Sequence, residues 1–212
     1  MEERTNVAFL GRSGSGKSTL ANILINGDLS GNNVFQINDS AKGVTDSITY
    51  FSNKDFGVID TIGLGEGKFG TTEHSEAVKI IRNYFSVPNI LFNYICYVKK
   101  KDKFIDDDSK KFNDFKEAFD DGKSNFVIII TDCEQKWVKK NRETIKEYFG
   151  NYPTIGLEIL SSSEAIENNI QKFISFVPAI NVYYKIGSSG VYYLKGKPKI
   201  AKRRLIEGAW CL

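Results

Sequence analysis

Residues 11 to 18 read Gly-Arg-Ser-Gly-Ser-Gly-Lys-Ser, a complete G-x-x-x-x-G-K-[ST] pattern. Gly11, Gly14 and Gly16 let the backbone curl, so that successive N–H groups from Arg12, Ser13, Gly14, Ser15 and Gly16 can face one anion. Lys17 adds a cation beside the β- and γ-phosphates and Ser18 offers a hydroxyl to Mg²⁺. Thr19 follows in the first turn of a helix, where the dipole and free N–H groups favour phosphate. The chemistry implied is binding of a nucleoside triphosphate. A glycine-rich turn with no ligand is the plainer alternative, and it needs the loop, the Lys-Ser pair and the flanking elements to coincide by chance.

Asp60-Thr61-Ile62-Gly63 fits D-x-x-G, lies 43 residues beyond Lys17 and directly follows an apolar run. Asp60 would hold Mg²⁺ through water, and the Gly63 N–H would sense the γ-phosphate. Between these two motifs, Gly43-Val44-Thr45 supplies a hydroxyl able to complete the Mg²⁺ shell when triphosphate is bound. Thr49 and Ser47 are its rivals, although their alternation in an apparent strand suits a structural role. Ser18, Thr45 and Asp60 are therefore the candidate metal ligands of a regulatory GTPase.

Such groups need a scaffold. Asn6 to Leu10 suits a buried strand, and Ser18 to Ile25 a helix ending near Gly27, giving strand, loop and helix in the required order. Ser47–Ser52 and Phe56–Asp60 read as strands joined by the tight Asn53-Lys54-Asp55 turn, which makes them one antiparallel pair. A helix is predicted over Glu73–Phe85, a strand over Ile90–Val98, and a helix holding Phe112, Phe115, Ala118 and Phe119. The charged run Lys99–Asp108 before it reads as a solvated loop and helix start in preference to a metal site. Asn125–Thr131 is a continuous apolar strand, as in the interior of a parallel sheet. Trp137–Phe149 is read as a helix, Thr154–Leu160 as a strand and Glu164–Phe176 as a last helix. The expected fold is an α/β, three-layer P-loop NTPase sandwich, with a mainly parallel sheet and one antiparallel strand pair.

These motifs, with the hairpin between the last two, resemble the AIG1-type G domain of septin-related, immunity-associated GTPases. The likeness runs over about residues 5 to 177, giving a domain at 1–177 and a basic extension at 178–212. It implies GTP or GDP with Mg²⁺ as ligands and nucleotide-dependent homodimerisation. G domains usually end the fifth strand with [NT]-K-x-D, whose Asp pairs with guanine; here the stretch is Thr131-Asp132-Cys133-Glu134. Thr131 matches, Glu134 could bring the carboxylate from one methylene further away or Asp132 could turn inward, and the lysine is missing. Ser161–Ser163 falls where a final base-contacting loop belongs. Ras-like GTPases place a water-orienting Gln directly after D-x-x-G, where this chain has Leu64, so slow hydrolysis is expected unless Glu66, a backbone group or a partner subunit substitutes. No catalytic residue is assigned; His74, the one histidine, reads better as a surface residue at a helix start.

At 212 residues with 41% hydrophobic and 26% charged content, the chain is long enough for one sizeable domain and is not of disordered composition. The net charge of +3 is uneven: from Lys185 onward seven bases face one acid, leaving the rest of the chain at −3. That tail either binds an anionic partner or membrane surface or is a solvated extension; around Gly187-Ser188-Ser189-Gly190 it could form a hairpin or dock. It carries no recognition helix or paired zinc ligands, which argues against nucleic acid. Cys96, Cys133 and Cys211 are few and widely spaced, which fits a reducing cytoplasm, and no apolar run approaches the roughly 20 residues of a membrane span. Three functions stay open: a slow GTPase switch, a pseudo-GTPase assembly module, and an ATP-dependent P-loop enzyme. The last ranks lowest because Arg4, Arg12, Arg82, Arg142, Arg203 and Arg204 are scattered and form no phosphate-clamping cluster.

Overall fold

The computed structural model describes residues 4–27, 33–35, 48–61, 74–85, 91–118, 126–158, 182–187 and 190–195. The chain runs β1 (Thr5–Gly11), α1 (Lys17–Asn26), β2 (Thr49–Ser52), β3 (Phe56–Asp60), α2 (His74–Phe85), β4 (Leu91–Phe92), β5 (Tyr94–Lys100) and α3 (Asp106–Ala118). It continues with β6 (Phe126–Thr131), α4 (Gln135–Lys140), α5 (Arg142–Phe149), β7 (Thr154–Leu157), β8 (Val182–Gly187) and β9 (Gly190–Lys195).

Six strands make the main sheet in the order β2-β3-β1-β5-β6-β7, all parallel except the β2–β3 hairpin. Asn53 builds the hairpin turn. Its side-chain oxygen accepts from the Asp55 and Phe56 N–H groups, while its amide nitrogen donates to the α1 carbonyls of Leu24 and Ile25. Alternate residues of the sheet fill two cores. On one face Leu10, Ile59, Tyr97, Ile128 and Ile130 pack with Ile81 of α2, Phe112 and Phe115 of α3 and Phe149 of α5. On the other, Phe9, Val58, Cys96, Val127 and Ile129 pack with Leu20, Ala21, Ile23 and Leu24 of α1. All six residues of β6 are buried, which is why its sequence is continuously apolar. Helices on both faces make the expected three-layer α/β sandwich.

The structure corrects three local expectations. The strand predicted over Ile90–Val98 is two: Asn93 breaks it, accepting from the Asn6 N–H at 2.7 Å through its side chain and donating its own N–H to the Asn6 carbonyl at 2.9 Å. β5 then joins the main sheet, and β4 pairs with β8 in a second sheet ordered β4-β8-β9. The helix expected over Trp137–Phe149 starts earlier and is divided at Asn141, whose side-chain amide donates to the Trp137 carbonyl at 2.8 Å. The charged run Lys99–Asp108 is not wholly solvated, because Lys99, which lies within β5, and Asp108, which opens α3, are buried. The tail hairpin is present as β8 and β9, and it docks on β4. The helix predicted at 164–176 lies outside the described residues. Among the described residues, no helix is long and apolar enough to cross a membrane.

Candidate functional site

β1 sits where the strand order turns, with β3 on one side and β5 on the other. Crevices beyond the carboxyl ends of strands at such a point are where open α/β sheets bind ligands. The loop leaving β1 enters that position. At Gly11, with φ +144°, a Cβ would stand 2.2 Å from the Val98 carbonyl oxygen, so only glycine lets the loop start this close to β5. Gly14 and Gly16 have φ of 71° and 96°, the left-handed region that turns the chain into α1. The helix begins at Lys17 on a Gly16 cap that makes no side-chain hydrogen bond, and the first turn holds no acid. Its leading N–H groups therefore lack the side-chain oxygen that caps most helices.

Lys17 is buried, and its Nζ donates to the Arg12 carbonyl at 2.9 Å, drawing the ammonium across the loop. Ser18 Oγ donates to Asp60 Oδ2 at 2.6 Å, which joins the phosphate-loop motif to the end of β3. Asp60 is 1% exposed, and its Oδ1 has no hydrogen-bond partner. Burial pushes its carboxyl above the ordinary value, against the opposing pull of the Lys17 charge and the Ser18 hydrogen bond. A buried carboxylate with one oxygen unsatisfied is suited to meet a cation. Ser13 is half-buried and Thr19 lies in the first turn of α1, while Ser15 is buried with its hydroxyl unpartnered.

Two threonines brace this end of the sheet, Thr61 holding β1 and Thr131 holding the loop that leaves it. Thr61 Oγ1 donates to the Phe9 carbonyl at 2.7 Å, and Thr131 Oγ1 donates to the Ser15 carbonyl at 2.9 Å. Thr131 is 2% exposed, so its hydroxyl serves the loop carbonyl. The carboxylates after it face different ways. Asp132, at φ 57°, pairs with Lys100 at 3.4 Å, whereas Glu134 is exposed at the start of α4 and pairs with Lys136 at 2.8 Å. Thr45, Gly63, Leu64, Glu66 and Ser161–Ser163 lie outside the described residues, as does the side chain of His74.

Comparison with known proteins places this geometry. Residues 6–155 match the family model described as 50S ribosome-binding GTPase. The chain belongs to that family of GTPases. A probable GTP-binding protein EngB of Clostridium kluyveri is 26% identical over 187 residues, covering 86% of this chain and 89% of that protein. An EngB of Clostridium botulinum (strain Eklund 17B) is 34% identical over 113 residues, about half of each chain (51% and 52%). Among solved structures, Era in complex with MgGDPNP and nucleotides 1506–1542 of 16S ribosomal RNA shares the fold, with a TM-score of 0.57 and 17% identity over 94% of this chain. Aquifex aeolicus Era bound to GDP·AlF4⁻ matches with a TM-score of 0.54 and 18% identity over 82% of this chain. The chain spans 60% and 56% of those two Era chains.

This GTPase is a GTP-binding protein, so the groups its site must meet are the phosphates of a guanine nucleotide and their counter-cation. Its residues fit them: the uncapped α1 terminus and left-handed glycines suit phosphate, and the Ser18 hydroxyl beside the unsatisfied Asp60 oxygen suits a divalent ion. Sequence reasoning missed Thr61 as a tie between the end of β3 and β1, and missed a charged cluster beside the loop. Arg12 Nη1 lies 3.5 Å from Asp108 Oδ1 and Nη2 lies 3.7 Å from Asp107 Oδ2. Lys99 Nζ reaches Asp108 Oδ2 at 3.7 Å and pairs with Asp102, while Lys111 Nζ reaches Asp107 Oδ2 at 2.7 Å. The signal available was the run Lys99-Lys100-Lys101 at the end of β5 set against the three consecutive acids Asp106-Asp107-Asp108 opening α3.

Proposed function

We propose that this chain is a nucleotide-dependent switch that hydrolyses GTP slowly to GDP and phosphate. In this reading Gly11, Arg12, Ser13, Gly14, Ser15, Gly16, Lys17, Ser18 and Thr19 hold the phosphates. Ser18, Asp60 and, with triphosphate, Thr45 hold Mg²⁺, and Gly63 senses the γ-phosphate. Bound Mg²⁺ would neutralise phosphate charge and offset the cost of keeping Asp60 ionised in its buried position. Thr131 supports the loop from behind, and Glu134 is the carboxylate offered to guanine. The observation that carries the reading is the 2.6 Å Ser18–Asp60 contact with Asp60 Oδ1 left unsatisfied, since it brings the two motifs into one site.

Leu64 supports slow turnover by the monomer, because an isobutyl group cannot orient water. The AIG1-type placement is a narrower proposal, supported by Gly43-Val44-Thr45 and the β2–β3 hairpin between the motifs, and homodimerisation on GTP rests on it. The basic tail is proposed to meet an anionic partner. The family's ribosome-binding description and the RNA held by Era support an RNA-bearing particle over a membrane surface, which departs from the expectation that nucleic acid is not a partner. The buried free thiols of Cys96 and Cys133 are in keeping with a reducing, cytoplasmic setting.

Titration of metal-free protein with GTP, GDP and ATP, with and without Mg²⁺, followed by single-turnover phosphate release, tests the proposal. Mg²⁺-dependent GTP binding with slow release supports it. No measurable release would leave an assembly module, and equal affinity for GTP and ATP would refute guanine recognition.

A further inference from the structure

We infer that Arg12 and Asp108 form a positioning pair that couples the phosphate loop to the first turn of α3, so that nucleotide occupancy and the order of α3 control each other. The inference rests on the nucleotide reading of the loop and adds a route by which occupancy is transmitted.

Arg12 acts in two directions. Its carbonyl accepts from Lys17 Nζ at 2.9 Å, and its guanidinium reaches away from the loop to Asp107 and Asp108. Asp108 has no exposed side-chain surface. Its Oδ1 faces Arg12, and its Oδ2 accepts from the Ile105 N–H at 3.1 Å and faces Lys99 at 3.7 Å. One carboxylate thus fixes the start of α3, the end of β5 and the first variable residue of the loop. The Tyr97 hydroxyl, buried and without a partner, lies within the electrostatic reach of Asp108, Arg12 and Asp107. Asp108 is fully buried while Arg12 is 32% exposed, so moving the guanidinium away strips the buried carboxylate of one of its two facing cations and leaves Lys99 as the other. The loop therefore cannot shift Arg12 without disturbing α3, and coupling between binding and α3 must be reciprocal.

The test uses the full chain and a fluorescent GDP analogue, with hydrogen exchange of residues 105–111 as a second readout. Arg12→Ala is expected to speed GDP release roughly tenfold, within the range usual for coupled sites, and to abolish GDP-dependent protection of α3. Arg12→Lys should restore part of both. Asp108→Asn combined with Arg12→Ala should be no worse than the more damaging single change. If Asp108→Asn does not fold, Asp107→Asn on the half-exposed side takes its place, with a smaller effect of the same kind. Parental GDP release from Arg12→Ala, or α3 protection that persists in it, overturns the inference while leaving the nucleotide site intact. Failure of the unmutated chain to bind GDP would instead overturn the functional reading on which it rests.

Discussion

Replacing Thr131 by valine separates a base contact from a loop brace. The side chain keeps its branched shape, so the change removes the hydroxyl that donates to the Ser15 carbonyl at 2.9 Å and puts a methyl group in its place. A neutral hydrogen bond contributes about 1 kcal/mol net, and a buried carbonyl left without its donor costs about 1–3 kcal/mol. The site is 2% exposed, so water cannot readily take over, and a loss of about 1–3 kcal/mol is expected. In a chain of this size that lowers the melting temperature by about 2–4 °C per kcal/mol. The nucleotide effect should follow the phosphates: GDP and ADP weaken by the same factor, because the loop they share has lost its support. Thermal unfolding by circular dichroism, with competition titrations of both nucleotides, measures the two halves. A variant as stable as the parent that loses affinity for GDP alone would refute the brace and return Thr131 to the base.

Lys17→Ala should abolish triphosphate binding while the domain stays folded, because it deletes the phosphate cation and leaves the glycine loop in place; binding within twofold of the parent would refute the assignment. Asp60→Asn should remove Mg²⁺-dependent GTP binding, yet stabilise the ligand-free chain at neutral pH. The sign follows from burial: a carboxyl whose folded-state pKa is raised above 3.8 is favoured while protonated, and that advantage is lost as pH rises through its folded value. Urea midpoints of variant and parent should therefore diverge as pH rises above about 3.8 and converge below it; a constant gap would contradict this. Glu134→Ala is expected to reduce the preference for GTP over ATP by about 1.5–3 kcal/mol if its carboxylate meets guanine. Loss of that preference in Asp132→Ala with Glu134→Ala unaffected would transfer the contact to Asp132.

Local chemistry was legible in the sequence because each signal is contained in a few adjacent residues. The glycine spacing, the Lys17-Ser18 pair and Asp60 at a strand end belong to chain segments whose backbone requirements are set by near neighbours. The Asn53 turn and the apolar run of β6 are of the same kind. Only the tertiary structure decided what depends on partners distant in the chain. Asn93 ends one strand and starts another because Asn6 is beside it, and the tail hairpin finds β4 as a result. Lys99 and Asp108 read as solvated charges until the packing of α3 against the sheet buries them together with Arg12 beside them. Thr131 matches a base-recognition motif by position, yet its hydroxyl meets a loop carbonyl 116 residues earlier. Hydrophobic period and turn chemistry report which segments form strands and helices. The partners of a buried polar group are chosen by long-range packing, and no short stretch of sequence contains them.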